Sequence, residues 1–224
     1  MYRAVIFDLF GTLVDQIEHY HGGVATALGL SDADLSERWR AGSRARYLGH
    51  QTFEASLLCL CHDVHPDLDE PAARMAVRAG LDELASSLGT VSQTTLFVLE
   101  RLCDARVPTG LVSNACPEVL DFWPQSPVAR YFAHPVFSCA VGLVKPEPAI
   151  YQLAFGPLDI KPEECLFVGD GGDQELEGAA ALGMTPVQVT HRLAPIAAAR
   201  FHLDSLVEVL GLLDLGDDDQ ASHP

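Results

Sequence analysis

Five short apolar runs, each ending in polar or small residues, are typical of buried β-strands. They are RAVIFD, PTGLVSN, PVFSCA, CLFVGD and TPVQVT. Helical patterns such as PAIYQLAFGPL and QELEGAAALGM separate the later runs. Because strands that are apolar along their whole length alternate with helices, the pattern predicts an α/β fold: a Rossmann-like parallel sheet with helices on both faces.

The interval 15–88 follows a different pattern, with helical periodicity and no convincing strand. Its helical stretches are EHYHGGVATALGL, DADLSERWRAGSRARYL, TFEASLLCLCHDV and EPAARMAVRAGLDELASSL. Ser31 or Asp32, and Asp69, are candidate N-caps because short polar side chains there accept hydrogen bonds from the first-turn amides. An all-helical block directly after the first strand indicates an inserted α-helical cap subdomain.

The expected domain organisation follows from that interruption. We expect residues 1–14 and 89–215 to form the α/β core and residues 15–88 to form the helical cap. The segment 216–224, GDDDQASHP, is acidic and lacks large apolar residues, so we expect a flexible tail.

Charge and composition restrict the class of partner. The chain has 31 acidic and 14 basic residues, a net charge of −17, which repels nucleic acid and anionic lipid. No apolar run reaches membrane-spanning length, and the N-terminus does not have the pattern of a signal peptide. We therefore expect a cytoplasmic protein that acts on a small-molecule substrate, with no nucleic-acid or membrane partner and with an oligomeric state that the sequence leaves open.

Polar residues come at the ends of three predicted strands. Asp8 ends the first, Ser113 and Asn114 end the second, and Asp170 ends the fourth. Parallel sheets bind ligands at the carboxyl ends of their strands, so these side chains are expected to meet in one site. A carboxylate such as Asp8 can attack an electrophile and form a covalent intermediate, although an isolated Asp at a strand end more often serves a turn.

Four motifs in order resemble the haloacid dehalogenase-like (HAD) hydrolase superfamily. They are DLFGT, LVSNA, GLVKPEPAIY and FVGDGGDQELEGAAALGM, with the helical block between the first two. The resemblance covers nearly the whole chain. It implies a hydrolase in which Asp8 is the nucleophile and Lys145 neutralises charge on nucleophile and substrate, with substrate contacts from Thr12, Ser113, Asn114 and Lys145.

The resemblance also implies a magnesium site. Its ligands map onto Asp8, the backbone carbonyl of Phe10 and Asp170, and Glu175 takes an outer-sphere role. Converging carboxylates repel unless a cation lies between them, and hard oxygen ligands suit Mg²⁺. Asp173 is interpreted as a helix N-cap.

Phe10 departs from the pattern of the phosphatases that this family includes. They usually carry an Asp there that donates a proton to the leaving group, whereas true 2-haloacid dehalogenases carry an aromatic residue. Motif four keeps the acidic, metal-binding pattern instead. The leading interpretation is a Mg²⁺-dependent phosphohydrolase of a small phosphorylated metabolite. The alternatives are a 2-haloacid dehalogenase-type hydrolase using Asp8, and a catalytically weakened HAD-fold protein that binds a ligand.

Substrate selection in this family comes from cap side chains that face the site. The candidates in RWRAGSRARY are Arg40, Arg44, Arg46 and Tyr47. Most charges at helical spacing lie on solvated faces, so the substrate itself cannot be read from them.

Overall fold

A six-stranded parallel sheet forms the centre of the protein. A computed structural model describes residues 2–14, 24–25, 28–190 and 193–215. The strand order is β3-β2-β1-β4-β5-β6, and every neighbouring pair is parallel. The strands are β1 Ala4–Phe7, β2 Thr109–Ser113, β3 Pro135–Phe137, β4 Cys165–Gly169, β5 Thr185–Val189 and β6 Phe201–Leu203.

Helices surround the sheet, and in the described part of the chain helices also lie between β1 and β2. Over the described residues they are α1 Asp32–Ala41, α2 Ser43–Tyr47, α3 Phe53–Val64, α4 Glu70–Gly89, α5 Gln93–Asp104, α6 Glu118–Phe122, α7 Ser138–Val141, α8 Pro148–Phe155, α9 Glu175–Ala181 and α10 Val209–Leu212. None of these helices combines the length and the apolar character needed to cross a membrane.

The central strands are buried on both faces, which explains their continuous apolar sequence. In β1, Val5 and Phe7 belong to one hydrophobic cluster, whereas Ala4 and Ile6 belong to a second cluster. Successive side chains of a strand point to opposite faces, so β1 contributes to two separate cores. The predicted α/β architecture with a doubly covered parallel sheet is confirmed.

The strand predictions need two corrections. The run PVFSCA was predicted as one strand, but β3 ends at Phe137 and α7 begins at Ser138. Strand β6 was not predicted at all. It lies at the edge of the sheet, and of its three residues only Leu203 is buried, so it lacks the apolar run that marks the central strands.

The helical interpretation of residues 32–88 is confirmed in the described part of the chain. Ser31 accepts a hydrogen bond from the Asp34 amide, and Asp69 accepts one from the Ala72 amide, so both act as N-caps. Most of the predicted helix at 18–30, and the predicted tail at 216–224, lie outside the described residues. The division into core and cap stays a prediction.

One carboxylate links α3 to the helix that follows β2. Glu118, in the helix that follows β2, accepts hydrogen bonds from the amides of Phe53 at 2.9 Å and Glu54 at 3.3 Å. These amides are among the unpaired donors at the start of α3. Because Glu118 follows the carboxyl end of β2, α3 begins on the side of the sheet where ligands bind in parallel α/β folds.

Candidate active site

The polar strand ends meet where the chain order of the sheet reverses. Strand β1 has β2 on one side and β4 on the other, with Phe7 opposite both Leu111 and Val168. The Asp8 amide continues this register by donating to the Val168 carbonyl at 2.9 Å. The carboxyl ends of β1, β2 and β4 therefore share one edge, at the type of crevice where α/β folds bind ligands.

A buried lysine joins two of the acids. Lys145 Nζ lies 2.5 Å from Asp8 Oδ1 and 2.5 Å from Glu175 Oε2, and all three side chains are buried. The chain contains only two lysines, and the other, Lys161, is exposed. A buried ammonium is stable only with charged partners, so this pairing fixes both carboxylates around Lys145.

Burial and charge shift the pKa of each member of this group. Burial lowers the pKa of Lys145, but the charges of Asp8 and Glu175 outweigh it and raise that pKa well above its usual value. The pKa of Asp8 is raised: burial and the charge of Asp170 raise it, and together they outweigh Lys145, which lowers it. Burial, followed by the charge of Asp8, raises the pKa of Glu175 to about 8. Lys145 thus stays charged, whereas repulsion between the two carboxylates raises the pKa of Glu175.

Asp170 completes a cluster of three acids. Asp8, Asp170 and Glu175 are buried, and each offers a carboxylate oxygen within 4.8 Å of the others. Gly169 is needed for this approach, since a Cβ there would lie 2.1 Å from Glu175 Oε1. The Glu175 carboxylate also accepts from the Gly171 amide at 3.0 Å. When all three carboxyls are ionised, one ammonium does not balance them, and this repulsion is one cause of the raised pKa values of Asp8 and Glu175.

Asn114 connects the loops after β2 and β4. Its Oδ1 accepts from the Lys145 amide at 2.9 Å, and its Nδ2 donates to Asp173 Oδ2 at 2.7 Å. The interpretation of Asp173 as an N-cap is therefore wrong. Gln174 precedes α9 and no side chain caps it, because Asp173 and Gln174 both adopt left-handed backbone angles that turn the Asp173 carboxylate toward Asn114.

The remaining predicted site residues lie around Asp8. The Thr12 hydroxyl is 3.4 Å from Asp8 Oδ2, and Ser113 is buried at the end of β2 with its hydroxyl 3.5 Å from the Asn114 carbonyl oxygen. The Phe10 side chain is partly buried and packs against the larger hydrophobic cluster. The geometry thus brings Asp8, Lys145, Asp170 and Glu175 together. The individual roles of the site residues, including a carbonyl ligand from Phe10, stay predictions.

Comparison with known proteins agrees with this geometry. The family model described as haloacid dehalogenase-like hydrolase matches residues 2–183. The chain belongs to the haloacid dehalogenase-like hydrolase family. The predicted resemblance is confirmed, and the protein is a hydrolase of this family.

The relatives of this chain include both dehalogenases and phosphatases. A curated (S)-2-haloacid dehalogenase 4A of Burkholderia cepacia is 29% identical over 230 residues, which cover 94% of each chain. Phosphoglycolate phosphatase 1 of Pseudomonas aeruginosa is 28% identical over 187 residues, covering 80% of this chain and 66% of that protein. A putative beta-phosphoglucomutase from Thermotoga maritima has the same fold, with a TM-score of 0.72 at 22% identity, covering 96% of this chain and 99% of that one.

Three buried polar residues support this haloacid dehalogenase-like site but were not predicted from the sequence. The Tyr151 hydroxyl donates to the Glu175 carbonyl at 3.0 Å, and Gln188 Nε2 donates to the Asp170 carbonyl at 3.0 Å. Ser138 Oγ accepts from the Ala115 amide at 2.9 Å, which fixes the loop after β2. A usable signal existed for Gln188, because it is an amide inside the apolar run TPVQVT.

The candidate selectivity residues in α1 and α2 have different environments. Arg40 is exposed. Arg44 Nη2 pairs with Glu147 Oε1 at 3.1 Å, at the protein surface. Arg46 is buried, stacks on Trp39 at 3.6 Å from the ring centroid and donates to the Trp39 carbonyl at 2.7 Å. Tyr47 is half-buried. Arg46 thus packs against Trp39, whereas Arg44 contacts Glu147 in the segment that carries Lys145.

Proposed function

We propose that the protein is a Mg²⁺-dependent phosphohydrolase that acts on a small phosphorylated metabolite. The observation that carries the proposal is the buried cluster of Asp8, Asp170 and Glu175 around Lys145 at the carboxyl edge of the sheet. Asp8 attacks the phosphorus atom and the leaving-group oxygen departs, which gives an aspartyl phosphate. Water then attacks that phosphorus and releases inorganic phosphate and the Asp8 carboxylate.

The residues of the cluster fit a magnesium ion. Their donors are carboxylate oxygens, the hard ligands that Mg²⁺ prefers, and one ammonium does not balance three acidic groups. Asp8 and Asp170, with the backbone carbonyl of Phe10, would hold the ion directly. Glu175 would lie in its outer coordination sphere. A bound Mg²⁺ neutralises negative charge on phosphoryl oxygens.

Lys145 has two tasks in this proposal. Its ammonium holds the Asp8 carboxylate in place, and it offsets the charge that builds up when an anionic phosphate approaches an anionic nucleophile. Asn114 holds the Lys145 backbone. We assign contacts with the phosphoryl oxygens to the hydroxyls of Thr12 and Ser113 and to the Asn114 amide. Each would act as a preorganised donor or dipole toward the transferring group.

Phe10 supports a second candidate function. Its side chain cannot transfer a proton, and a halide leaves without one. The relative with 29% identity is named as an (S)-2-haloacid dehalogenase. In that alternative Asp8 would attack carbon instead of phosphorus. We favour the phosphohydrolase because a site that needs no metal would leave three acidic groups, Asp8, Asp170 and Glu175, with the single ammonium of Lys145.

A substrate screen with the metal varied separates these functions. We expect phosphate release from acetyl phosphate or p-nitrophenyl phosphate that needs Mg²⁺ and stops with chelator. Halide release from 2-chloropropionate that is indifferent to chelator would instead support the dehalogenase. Magnesium binding without turnover of either class would indicate a weakened, ligand-binding member of the family.

We predict that Asp170→Asn weakens Mg²⁺ binding and phosphatase activity together, because one anionic ligand is lost. Isothermal titration calorimetry gives the Mg²⁺ affinity, and phosphate release gives the activity. Asp104→Asn, at an exposed position at the end of α5, is the matched control. Unchanged Mg²⁺ affinity in Asp170→Asn would place the ion elsewhere.

We predict that the absence of a carboxyl at Phe10 biases the enzyme toward good leaving groups. Positioned general acids typically contribute about 100- to 10,000-fold, so alkyl phosphates should be cleaved far more slowly than aryl or acyl phosphates, relative to a phosphatase with the full acid pair. Phe10→Asp should narrow the gap in kcat/KM. Phe10→Asn introduces a side chain of the same shape as Asp but without the acid, so it should not narrow the gap. Equal turnover of matched aryl and alkyl phosphates by the natural protein would contradict this prediction.

A further inference from the structure

The turn after β4 holds Lys145 at two separate points. Glu175 pairs with the Lys145 ammonium. Just before Glu175 in the chain, Asp173 Oδ2 accepts a hydrogen bond from Asn114 Nδ2 at 2.7 Å. Asn114 Oδ1 in turn accepts from the Lys145 backbone amide at 2.9 Å. One short segment therefore reaches both ends of the lysine, its ammonium directly and its backbone through Asn114.

The side-chain amide of Asn114 fits these two partners in one orientation only. A carboxylate accepts hydrogen bonds and a backbone N–H donates them, so Nδ2 must face Asp173 and Oδ1 must face Lys145. Asn114 is 9% exposed, so water has little access to replace either partner. Asp173 is exposed and ends this chain of hydrogen bonds on the solvent side. Its loss would leave Nδ2 without the charged acceptor that holds it.

The backbone of the turn adopts unfavourable angles where it makes this contact. Asp173 and Gln174 have φ values of +52° and +56°, in the left-handed region that residues other than glycine seldom adopt. Such angles persist where surrounding contacts hold them, and they are concentrated at functional sites. Here they direct the Asp173 carboxylate to Asn114 just before Glu175 enters α9. The contact is thus a specific product of this turn.

We infer that Asp173 is a positioning residue of the active site, which acts through Asn114. Asp173 holds the Asn114 amide, and that amide holds the backbone of Lys145. The ammonium of Lys145 is thereby kept between Asp8 and Glu175. The inference rests on the proposed function, in which Asn114 and Lys145 act on the transferring phosphoryl group. The second N–H of the Asn114 amide remains for a phosphoryl oxygen, and Asp173 itself needs no contact with the substrate.

The test removes the Asp173 carboxylate without straining the turn. Asp173→Gly suits the left-handed backbone but has no acceptor, so kcat for p-nitrophenyl phosphate at saturating Mg²⁺ should fall about 10- to 100-fold, as for other losses of a supporting contact. Asp173→Asn keeps a side-chain oxygen that can accept from Asn114, so it should retain most of the activity. Asp159→Gly is the matched control, because Asp159 is exposed, has the same φ of +52° and lies in the connection into the amino end of β4. It should retain full activity, and urea unfolding verifies that each variant is folded.

A double-mutant cycle shows whether Asp173 acts through Asn114. Once Asn114→Ala has removed the amide, adding Asp173→Gly should change kcat by less than about 3-fold. Amide hydrogen exchange, followed by NMR, gives a readout that does not depend on turnover. The Lys145 amide hydrogen donates to Asn114, so it should exchange faster in Asp173→Gly than in the natural protein or in Asp159→Gly.

Several results would overturn the role of Asp173 while leaving the phosphohydrolase intact. Full activity of Asp173→Gly, or an unchanged exchange rate of the Lys145 amide, would show that Asp173 does not hold the site. Equal losses in Asp173→Gly and Asp173→Asn would show that the charge of Asp173 matters and not its hydrogen bond. An undiminished loss when Asp173→Gly is added to Asn114→Ala would show that Asp173 does not act through Asn114. No phosphate release from any substrate by the natural protein would overturn the proposed function and this role together.

Discussion

Asp8→Asn is expected to abolish turnover. An amide is not a competent nucleophile toward phosphorus, and loss of a catalytic nucleophile typically costs about four to six orders of magnitude in kcat. The substitution keeps the shape of the side chain and removes one of three mutually repelling acids, so the protein should remain folded. Phosphate release from acetyl phosphate at saturating Mg²⁺ measures the loss, and circular dichroism monitors the fold.

The control for Asp8→Asn is again Asp104→Asn, which removes an exposed carboxylate at the end of α5. We expect it to retain full activity. If Asp8→Asn kept activity within about tenfold of the natural protein, another residue would be the nucleophile. Even the loss of a positioned general acid typically costs about 100-fold or more.

Lys145→Met is expected to have the largest effect on stability. Removing one partner of a buried ion pair typically costs about 3 to 5 kcal/mol because the remaining charges are left uncompensated. Here the remaining carboxyls are Asp8 and Glu175, each 2.5 Å from the lost ammonium. Activity should fall as well, because nothing then offsets the charge of the nucleophile.

The stability loss in Lys145→Met should depend on pH in a defined direction. Lys145 lowers the pKa of Glu175, so its removal raises that pKa beyond the value of about 8 in the natural protein. A carboxyl with a raised pKa binds more protons in the folded than in the unfolded chain, so the free energy of unfolding falls as pH rises. The penalty should grow as pH rises above about 8, where Lys145 keeps Glu175 charged in the natural protein, and should level off below about 8, where Glu175 is protonated with or without Lys145.

Urea unfolding at about pH 6 and about pH 9 checks this pH dependence. Lys161→Met is a closely matched control, because Lys161 also precedes a proline but is exposed. Its free energy of unfolding should change little at either pH. A Lys145→Met penalty that is the same at both values would mean that the buried acids do not depend on Lys145 for their charge.

The sequence was sufficient to predict the part of the site that rests on strand ends. A run of apolar residues that stops at Asp8 or Asp170 locates both the strand and its carboxyl edge, and parallel pairing then brings the two acids together. The motif order added Lys145, whose ammonium is indeed between Asp8 and Glu175.

Features that depend on backbone turns and on packing between distant segments could not be predicted. Asp173 looked like an N-cap, but its left-handed backbone turns the carboxylate to Asn114, a partner 59 positions away. The docking of α2 against Glu147, and of Gly49 just after it against Cys139, is not encoded in helical periodicity. Strand β6 is too short and too exposed to leave an apolar pattern.

The most direct test of the proposed function is mass spectrometry of protein quenched in acid during turnover of acetyl phosphate. We expect one phosphoryl group on the peptide that contains Asp8, formed only when Mg²⁺ is present and absent from Asp8→Asn. Phosphate release without any phosphoryl adduct on Asp8, or an adduct on a different residue, would contradict the account.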